Sequence, residues 1–318
     1  MHFIRLIRPL NLIIVALTIY SLGWYFESIY GPHPKFNIYS TPFLLLTIST
    51  VMIAAAGNII NDYFDLRADR INKPNKLIIG KHIKRRWAIL SHWIINFIAF
   101  CIALHLSWEM DTFAYLFIHF ASINLLWFYS VYLKRKFFIG NFLIAALTAA
   151  VPLLVGLYFH QVYDLMEPST TAITYFPFNQ YSGDHFILWV SFGLAAFAFV
   201  LNLAREIVKD MEDVEGDILL KSKSLPITIG YQKSKWIAAI ILSGTIVGCL
   251  VVWYFFEHIE LITMIPIVLS ALLVVVCYFL LIKAETKRQY RTINHLIKLS
   301  MVAGLISPVY WALLLIYG

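Results

Sequence analysis

Long apolar runs alternate with short polar segments along the whole chain. A helix that crosses about 30 Å of hydrocarbon at about 1.5 Å per residue needs roughly 20 apolar residues. Nine runs approach or reach this length, at about 9–27, 43–65, 87–107, 112–133, 140–159, 185–208, 236–256, 260–282 and 296–316. The pattern therefore predicts an all-α, polytopic membrane bundle of nine transmembrane helices.

The composition agrees with a membrane location. The 318 residues are 60% hydrophobic and 14% charged, and the mean hydropathy is +0.76, whereas soluble domains carry roughly 25% charged residues. No polar linker long enough to separate two soluble domains interrupts the apolar runs. We therefore expect a single membrane-embedded domain over residues 1–318.

The basic residues are distributed asymmetrically. Of the 25 Lys and Arg residues, all except Lys35 fall at the amino terminus or in alternate loops, at 66–86, 134–136, 205–235 and 283–298. Cytoplasmic loops retain Lys and Arg, so the amino terminus is expected in the cytoplasm and the carboxyl terminus outside the cell (inner) membrane. The net charge of +7 then matches anionic lipid headgroups, and neither a nucleic-acid nor a protein partner is predicted.

Half of the acidic residues are concentrated in two short stretches that share one spacing, D-x-x-D-x-x-x-D, 148 residues apart. The aspartates of the two stretches are Asp62, Asp65, Asp69, Asp210, Asp213 and Asp217. On a helix that advances about 100° per residue, each triplet falls within an arc of about 60°. Asn58 and Glu206, four residues before each triplet, extend the same two faces.

The similarity between the two stretches extends beyond the aspartates. Each follows a long apolar run and ends in a basic residue, a further apolar run and a glycine, so that 58–80 corresponds to 205–230. We interpret this as a degenerate internal repeat of a helix and its loop, an arrangement that often places a site between the copies. A coincidence of short patterns is the alternative.

The chemistry of these stretches favours a hard cation. Several carboxylates on one side of a membrane repel each other, and ionised groups at membrane depth cost at least a few kcal/mol each. Donor sets that contain only oxygen suit Mg²⁺, which typically joins carboxylates to substrate phosphates. The expected site therefore binds Mg²⁺ and a diphosphate near one membrane face. A solvated, charged helix end is the simpler alternative for either stretch alone.

Both motifs resemble those of the UbiA superfamily of intramembrane prenyltransferases. Residues 61–69 are similar to its N-D-x-x-D-x-x-x-D motif, with Asn58 one turn earlier, and residues 205–217 are similar to its second aspartate-rich motif. Smaller matches lie at 8–11 and 129–134. The resemblance covers the whole chain and implies the UbiA-type helical fold and a prenyltransferase activity.

Within the superfamily, residues 205–217 followed by 223–226 are most similar to the digeranylgeranylglyceryl phosphate synthases. The resemblance implies Mg²⁺-dependent transfer of a geranylgeranyl group from its diphosphate to geranylgeranylglyceryl phosphate. An aromatic acceptor, such as a quinone, haem or chlorophyll precursor, is the alternative within the superfamily. One departure is Lys76-Leu77, where the family often has Arg-Pro; lysine binds phosphate as a point charge, without the fork of arginine.

The resemblance also implies roles for individual residues. The six aspartates would be catalytic and would bind Mg²⁺, with Asn58 and Glu206 as supporting ligands. The expected substrate-binding residues are Lys209, Lys223, Arg67, Lys73 and Lys76 for the polyprenyl diphosphate, Arg8 and Lys134 for the phosphate of a hydrophobic or lipid acceptor, and Asn11 and Tyr129 in the smaller matches.

Two other classes of protein have related features. A CDP-alcohol phosphotransferase carries two aspartate motifs within one stretch of about 25 residues, and the separation of 148 residues argues against it. A secondary transporter would also contain an internal repeat and intramembrane charges. Its charges are expected at broken helices near the bilayer midplane, whereas here they gather near one membrane face.

Overall fold

The structure is a computed structural model that describes residues 2–164, 175–178, 185–255 and 260–317. The α-helices are α1 (His2–Leu6), α2 (Pro9–Tyr30), α3 (Thr41–Asn72), α4 (Arg85–Glu109), α5 (Ala114–Val131), α6 (Ile139–Asp164), α7 (Phe186–Leu219), α8 (Leu225–Ile229), α9 (Tyr231–Phe255), α10 (Ile265–Lys283), α11 (Lys287–Leu305) and α12 (Ser307–Tyr317). Short 3₁₀ helices lie at Pro74–Lys76, Leu133–Arg135 and Leu261–Met264. The predicted all-α class is confirmed.

Nine helical segments among the described residues are long and apolar enough to cross a membrane. Each coincides with one of the nine predicted runs, and the ninth is formed by α11 and α12 together, over Lys287–Tyr317. The chain is therefore an integral, multi-pass membrane protein, as its hydropathy predicts.

Three helices extend well beyond the predicted apolar runs. The helix α3 continues to Asn72 and α7 to Leu219, so the aspartate motifs lie on helical extensions. The prediction of a loop over 283–298 was wrong from Lys287 onward, because α11 begins there. A capping box explains this start: the Gln289 amide donates to the Thr286 hydroxyl, and the Thr286 amide donates to the Gln289 side chain at 2.9 Å. Hydropathy detects only the apolar part of such helices.

The helices divide into two compact units. The first unit comprises 1–16, 41–144 and 213–231. Within it α3 packs against α4 and α5. A buried apolar cluster joins α1 to the carboxyl-terminal half of α3. The members of this cluster are Leu6, Ile59, Leu66, Ile79 and Ala88. It anchors the amino terminus beside the first aspartate motif.

The second unit comprises 17–40, 145–212 and 232–318. Its interior is aromatic: the ring of Tyr25 lies 5.4 Å from Trp311, and that of Phe26 lies 5.6 Å from Phe159. The α10 and α11 helices are joined by a buried hydrogen bond of 2.8 Å between Ser270 and Ser300. Large buried rings and small polar groups are both common where helices pack within membranes.

Candidate active site

The first motif lies on the last three turns of α3. Because α3 remains helical to Asn72, Asp62, Asp65 and Asp69 share one face, as the spacing predicts. All three side chains are partly exposed, while Leu66 and Ala68 on the intervening positions are buried. These apolar residues lie on either side of the carboxylate face, roughly 70° and 90° around the helix from its centre, and their packing leaves the carboxylates between them partly accessible.

Arg8 forms an ion pair with Asp62, at 2.5 Å between Nη2 and Oδ1. The chain turns sharply there, since Arg8 adopts a positive φ of 56° between α1 and α2. The buried Leu6 and a hydrogen bond of 2.9 Å from Asn58 Nδ2 to the Ile7 carbonyl fix this turn. Asn58, predicted as a metal ligand, thus holds the segment that delivers Arg8 to Asp62.

Lys134 forms the second ion pair, with Asp65. It lies in the 3₁₀ helix after α5, and its Nζ also donates to Asn61 Oδ1 at 3.1 Å. Loss of hydration disfavours the charged lysine, but the neighbouring charge of Asp65 outweighs this and raises the pKa of Lys134 well above its usual range. Lys134 therefore stays protonated and balances one carboxylate.

Lys73 forms the third ion pair and joins the two motifs. Its Nζ lies 2.7 Å from Asp213 Oδ2, and the preceding Asn72 donates from Nδ2 to the Asp213 carbonyl at 2.8 Å. Asn72 Oδ1 in turn accepts from the Gly216 amide at 3.0 Å. The end of α3 and the last turns of α7 are thereby fixed side by side within the first unit.

Gly216 permits this close approach. A Cβ at this position would lie 2.4 Å from Asn72 Nδ2 and 2.8 Å from the Ala68 carbonyl oxygen. Such distances are well inside van der Waals contact, and one of the two atoms is rigid backbone. Only glycine at 216 allows Asn72 to bridge the motifs.

The upstream half of the second motif belongs to the second unit. There Glu206 is buried and accepts hydrogen bonds from Arg205 Nη1 at 3.1 Å and Lys209 Nζ at 3.0 Å. Glu212, also buried, forms an ion pair of 2.8 Å with Arg291 of α11. Glu206 and Lys209, predicted for metal and diphosphate, contact each other, and Asp210 lies one residue beyond Lys209 on the same helix.

The remaining predicted substrate-binding residues are dispersed. Tyr129 is buried in α5, and Asn11 lies in the first turn of α2. Lys223 is exposed, and its backbone amide donates to the Arg135 carbonyl at 2.9 Å. Arg67 lines a cavity on another side of α3. The Lys76 side chain lies outside the described part of the structure.

The oxygen donors of the first unit retain unused capacity for a ligand. Asp213 Oδ1 is buried and has no hydrogen-bond partner among the described residues, and a buried unpaired carboxylate oxygen is costly. In the described ranges, no three or more His, Cys, Asp or Glu side chains are arranged closely enough to hold a metal ion together. Instead, three carboxylates are each balanced by one basic side chain, and all the donors are of the hard type that Mg²⁺ prefers.

Sequence reasoning placed Asn61 and Gly216 within the two motifs but assigned no role to either, and it did not predict the bridging role of Asn72. Asn61 shares Lys134 with Asp65, and Gly216 allows Asn72 to approach the second motif. The signal for Gly216 was present, since a glycine inside a helical pattern commonly marks close packing. The identity of its contact depends on the tertiary fold.

The sequence profile described as the UbiA prenyltransferase family matches residues 16–302. Among curated relatives, the digeranylgeranylglyceryl phosphate synthase of Methanosphaera stadtmanae is 25% identical over 98% of this chain and 99% of its own length. The enzyme of that name from Thermococcus gammatolerans is 32% identical over 77% of this chain and 75% of its own length.

Solved structures show the same likeness. A structure of digeranylgeranylglyceryl phosphate synthase in membranes has a TM-score of 0.65 at 25% identity, covering 98% of this chain and 97% of that chain. A homologue from Archaeoglobus fulgidus, solved with bound GPP and Mg²⁺, has a TM-score of 0.54 at 15% identity and covers 97% of this chain and all of that chain. The second likeness concerns the fold alone.

Proposed function

The chain belongs to the UbiA prenyltransferase family, and we propose that it transfers a geranylgeranyl group from geranylgeranyl diphosphate to geranylgeranylglyceryl phosphate. The predicted UbiA-type fold and the predicted prenyltransferase activity are confirmed by this membership, which disfavours the transporter alternative. The relatives named as digeranylgeranylglyceryl phosphate synthases support the choice of acceptor over an aromatic compound.

One observation carries the proposed site: three carboxylates within the first unit, two from the first motif and one from the second, each form an ion pair with a basic side chain. These pairs are Arg8–Asp62, Lys134–Asp65 and Lys73–Asp213. These pairs keep some access to solvent, since the carboxylates are 13–19% exposed and the basic side chains 22–40% exposed. A stronger ligand can therefore separate them, so that the carboxylates bind a metal and the released cations bind phosphate oxygens.

The residues fit Mg²⁺, which the homologue from Archaeoglobus fulgidus contains. The proposed ligands are the six aspartates, Asp62, Asp65, Asp69, Asp210, Asp213 and Asp217, with support from Asn58 and Glu206. The unpartnered Asp213 Oδ1 favours this role, because it is an oxygen donor already buried at the site. Bound Mg²⁺ would supply Lewis-acid stabilisation of the diphosphate leaving group.

The basic residues would orient the two substrates. Lys73, with Lys209 and Lys223, is proposed to bind the donor diphosphate, while Arg8 and Lys134 are proposed to bind the acceptor phosphate. As the allylic carbon–oxygen bond of the donor breaks, the acceptor hydroxyl oxygen forms the new ether bond, and its proton passes to the released diphosphate. The apolar helices would exclude water from the carbocation-like allylic centre.

The charge asymmetry supports a proposed location for the reaction. We propose that the amino terminus and the site face the cytoplasm and that the carboxyl terminus lies outside the cell membrane, because all but one of the basic residues fall on one side of the predicted topology. The organisation as a single domain with an internal repeat remains part of this proposal.

The test is prenyl transfer by the purified full chain in lipid vesicles. Geranylgeranyl diphosphate is supplied with geranylgeranylglyceryl phosphate and 4-hydroxybenzoate together, with Mg²⁺ or with excess EDTA, and products are identified by mass spectrometry. We expect digeranylgeranylglyceryl phosphate, formed only with Mg²⁺. Preferential prenylation of the aromatic acid, or full activity in EDTA, would refute the proposal.

A further inference from the structure

A cavity in the first unit is lined by several cations. It has a volume of about 580 Å³, within the range of small-ligand sites, and it lies beside α3, the start of α4, the 3₁₀ helix after α5 and the turn after α7. Its charged lining residues are Arg67, Arg70, Arg85, Arg135 and Lys221. No acidic side chain in the described part of the chain lines it.

These five cations lack the balance found among the aspartates. In the described ranges, none of them forms an ion pair. Arg85 instead lies over the ring of Tyr63, 4.6 Å from its centroid, and this contact holds the guanidinium at the cavity wall. Like charges gathered in one cavity repel each other, so an anion bound there would relieve the repulsion.

The cavity is separate from the carboxylate face of α3. At about 100° per residue, Arg67 projects roughly 170° and Arg70 roughly 110° around the helix from the centre of the face formed by Asp62, Asp65 and Asp69. A helix with its side chains is about 10–12 Å wide. A phosphate in the cavity would therefore lie across the helix from the proposed reacting centre and would occupy a different site.

The backbone at Lys221 is a second, independent sign of function. Lys221 has φ of 52° in the turn that ends α7, where its amide donates to the Ile218 carbonyl at 3.0 Å. Glycine is the usual residue at such a left-handed helix end, and a residue with a side chain is strained there. Lys221 thus places a positive charge in the cavity lining from a strained backbone position.

The apolar part of the cavity indicates the class of ligand. Phe64, Leu219 and Leu220 line it together with the cations, and Leu219 is 60% exposed. An inorganic anion gains nothing from such residues, whereas an amphipathic ligand gains from both kinds of contact. Arginine forks suit the phosphate group specifically.

We infer that this cavity is a second anion site, which binds the phosphate headgroup of an anionic glycerolipid from the adjacent membrane surface. The arginines and Lys221 bind the phosphate, and Phe64 and the leucines contact the glycerol and the first part of the acyl or isoprenyl chain. This inference does not depend on the donor, the acceptor or the reaction proposed above.

The test measures lipid binding to the full chain, purified and delipidated, by native mass spectrometry. Phosphatidic acid, phosphatidylcholine and inorganic phosphate are the probes. We expect phosphatidic acid to bind at least tenfold more weakly to Arg70→Gln/Lys221→Gln than to the unaltered chain. The matched control, Lys81→Gln/Arg86→Gln, removes the same charges from exposed positions outside the cavity lining and should change binding less than twofold.

Three outcomes would overturn the inference: an equal loss in the control variant, binding of phosphatidylcholine as tight as that of phosphatidic acid, or displacement of the lipid by equimolar inorganic phosphate. The melting temperature of each variant checks that it is folded, and Arg85→Gln supplies an independent substitution in the cavity. Asp65→Asn should bind phosphatidic acid normally, so failure of the proposed prenyl transfer is distinguishable from failure of this site.

Discussion

Two neighbouring carboxylates on α7, Glu212 and Asp213, have contrasting environments. The Glu212 side chain is 4% exposed and lies 2.8 Å from Arg291 within the second unit. The Asp213 side chain is 14% exposed and lies 2.7 Å from Lys73 within the first unit, and its Oδ1 has no hydrogen-bond partner among the described residues. Adjacent acids of one motif can therefore differ in whether they retain capacity for a ligand.

A related contrast distinguishes Asp62 and Asp65 in the first unit from Glu206 in the second. In the first unit Asp62 and Asp65 are balanced by Arg8 and Lys134, which come from distant parts of the chain and from different elements. In the second unit Glu206 is buried between two residues of its own helix. The first arrangement joins separate elements of the fold, whereas the second is local to one helix.

Replacement of Asp213 by Asn should have the largest effect on prenyl transfer. The substitution keeps the size of the side chain but removes the charge and one strong acceptor, so we expect kcat/KM to fall at least 100-fold, or about 2.7 kcal/mol. The measurement is transfer of radiolabelled geranylgeranyl groups in vesicles. Glu215→Gln, an exposed acid two residues away, is the control and should stay within twofold. Equal losses in both variants would show that Asp213 contributes no more to transfer than the exposed Glu215.

Replacement of the basic partners should separate the two substrates. Lys73→Gln is expected to raise the KM for geranylgeranyl diphosphate about tenfold, and Lys134→Gln to raise the KM for the glyceryl phosphate acceptor about tenfold, or about 1.4 kcal/mol each. Each variant serves as the control for the other in steady-state assays that vary one substrate at a time. If both raised the KM for the same substrate, the proposed division of phosphate binding would be incorrect.

Gly216→Ala should reduce transfer by a smaller factor, about threefold to tenfold, because it acts through position. The added Cβ would lie 2.4 Å from Asn72 Nδ2, and overpacking of this kind costs about 1–3 kcal/mol. Both the melting temperature and the activity should therefore fall. In the control Gly193→Ala, on the same helix, nothing lies within 4 Å of the new Cβ, so stability should be unchanged or slightly higher.

Periodicity and hydropathy were sufficient to predict the nine spans and the shared face of Asp62, Asp65 and Asp69, since both depend on local spacing. Helical spacing alone also places Arg67 on a different side of α3 from that face. The motif resemblance had instead assigned Arg67 to the diphosphate. The partners of Asp213 and Glu212 were not predictable in this way. Lys73 and Arg291 lie 140 and 79 positions from these acids, and such contacts are decided by how whole helices pack.

Arg291→Gln should have the smallest effect on transfer and should act on stability instead. Loss of a partner leaves the buried Glu212 charge uncompensated, which costs about 3–5 kcal/mol for a fully buried pair; because the Arg291 side chain is 44% exposed, we expect about 1–3 kcal/mol. The melting temperature should fall while initial rates well below it stay within twofold. Adding Glu212→Gln to Arg291→Gln removes the orphaned charge and should recover part of the lost stability. A loss of activity in Arg291→Gln as great as in Asp213→Asn would mean that Glu212 also contributes to the reaction, and the two neighbouring acids would then share one role.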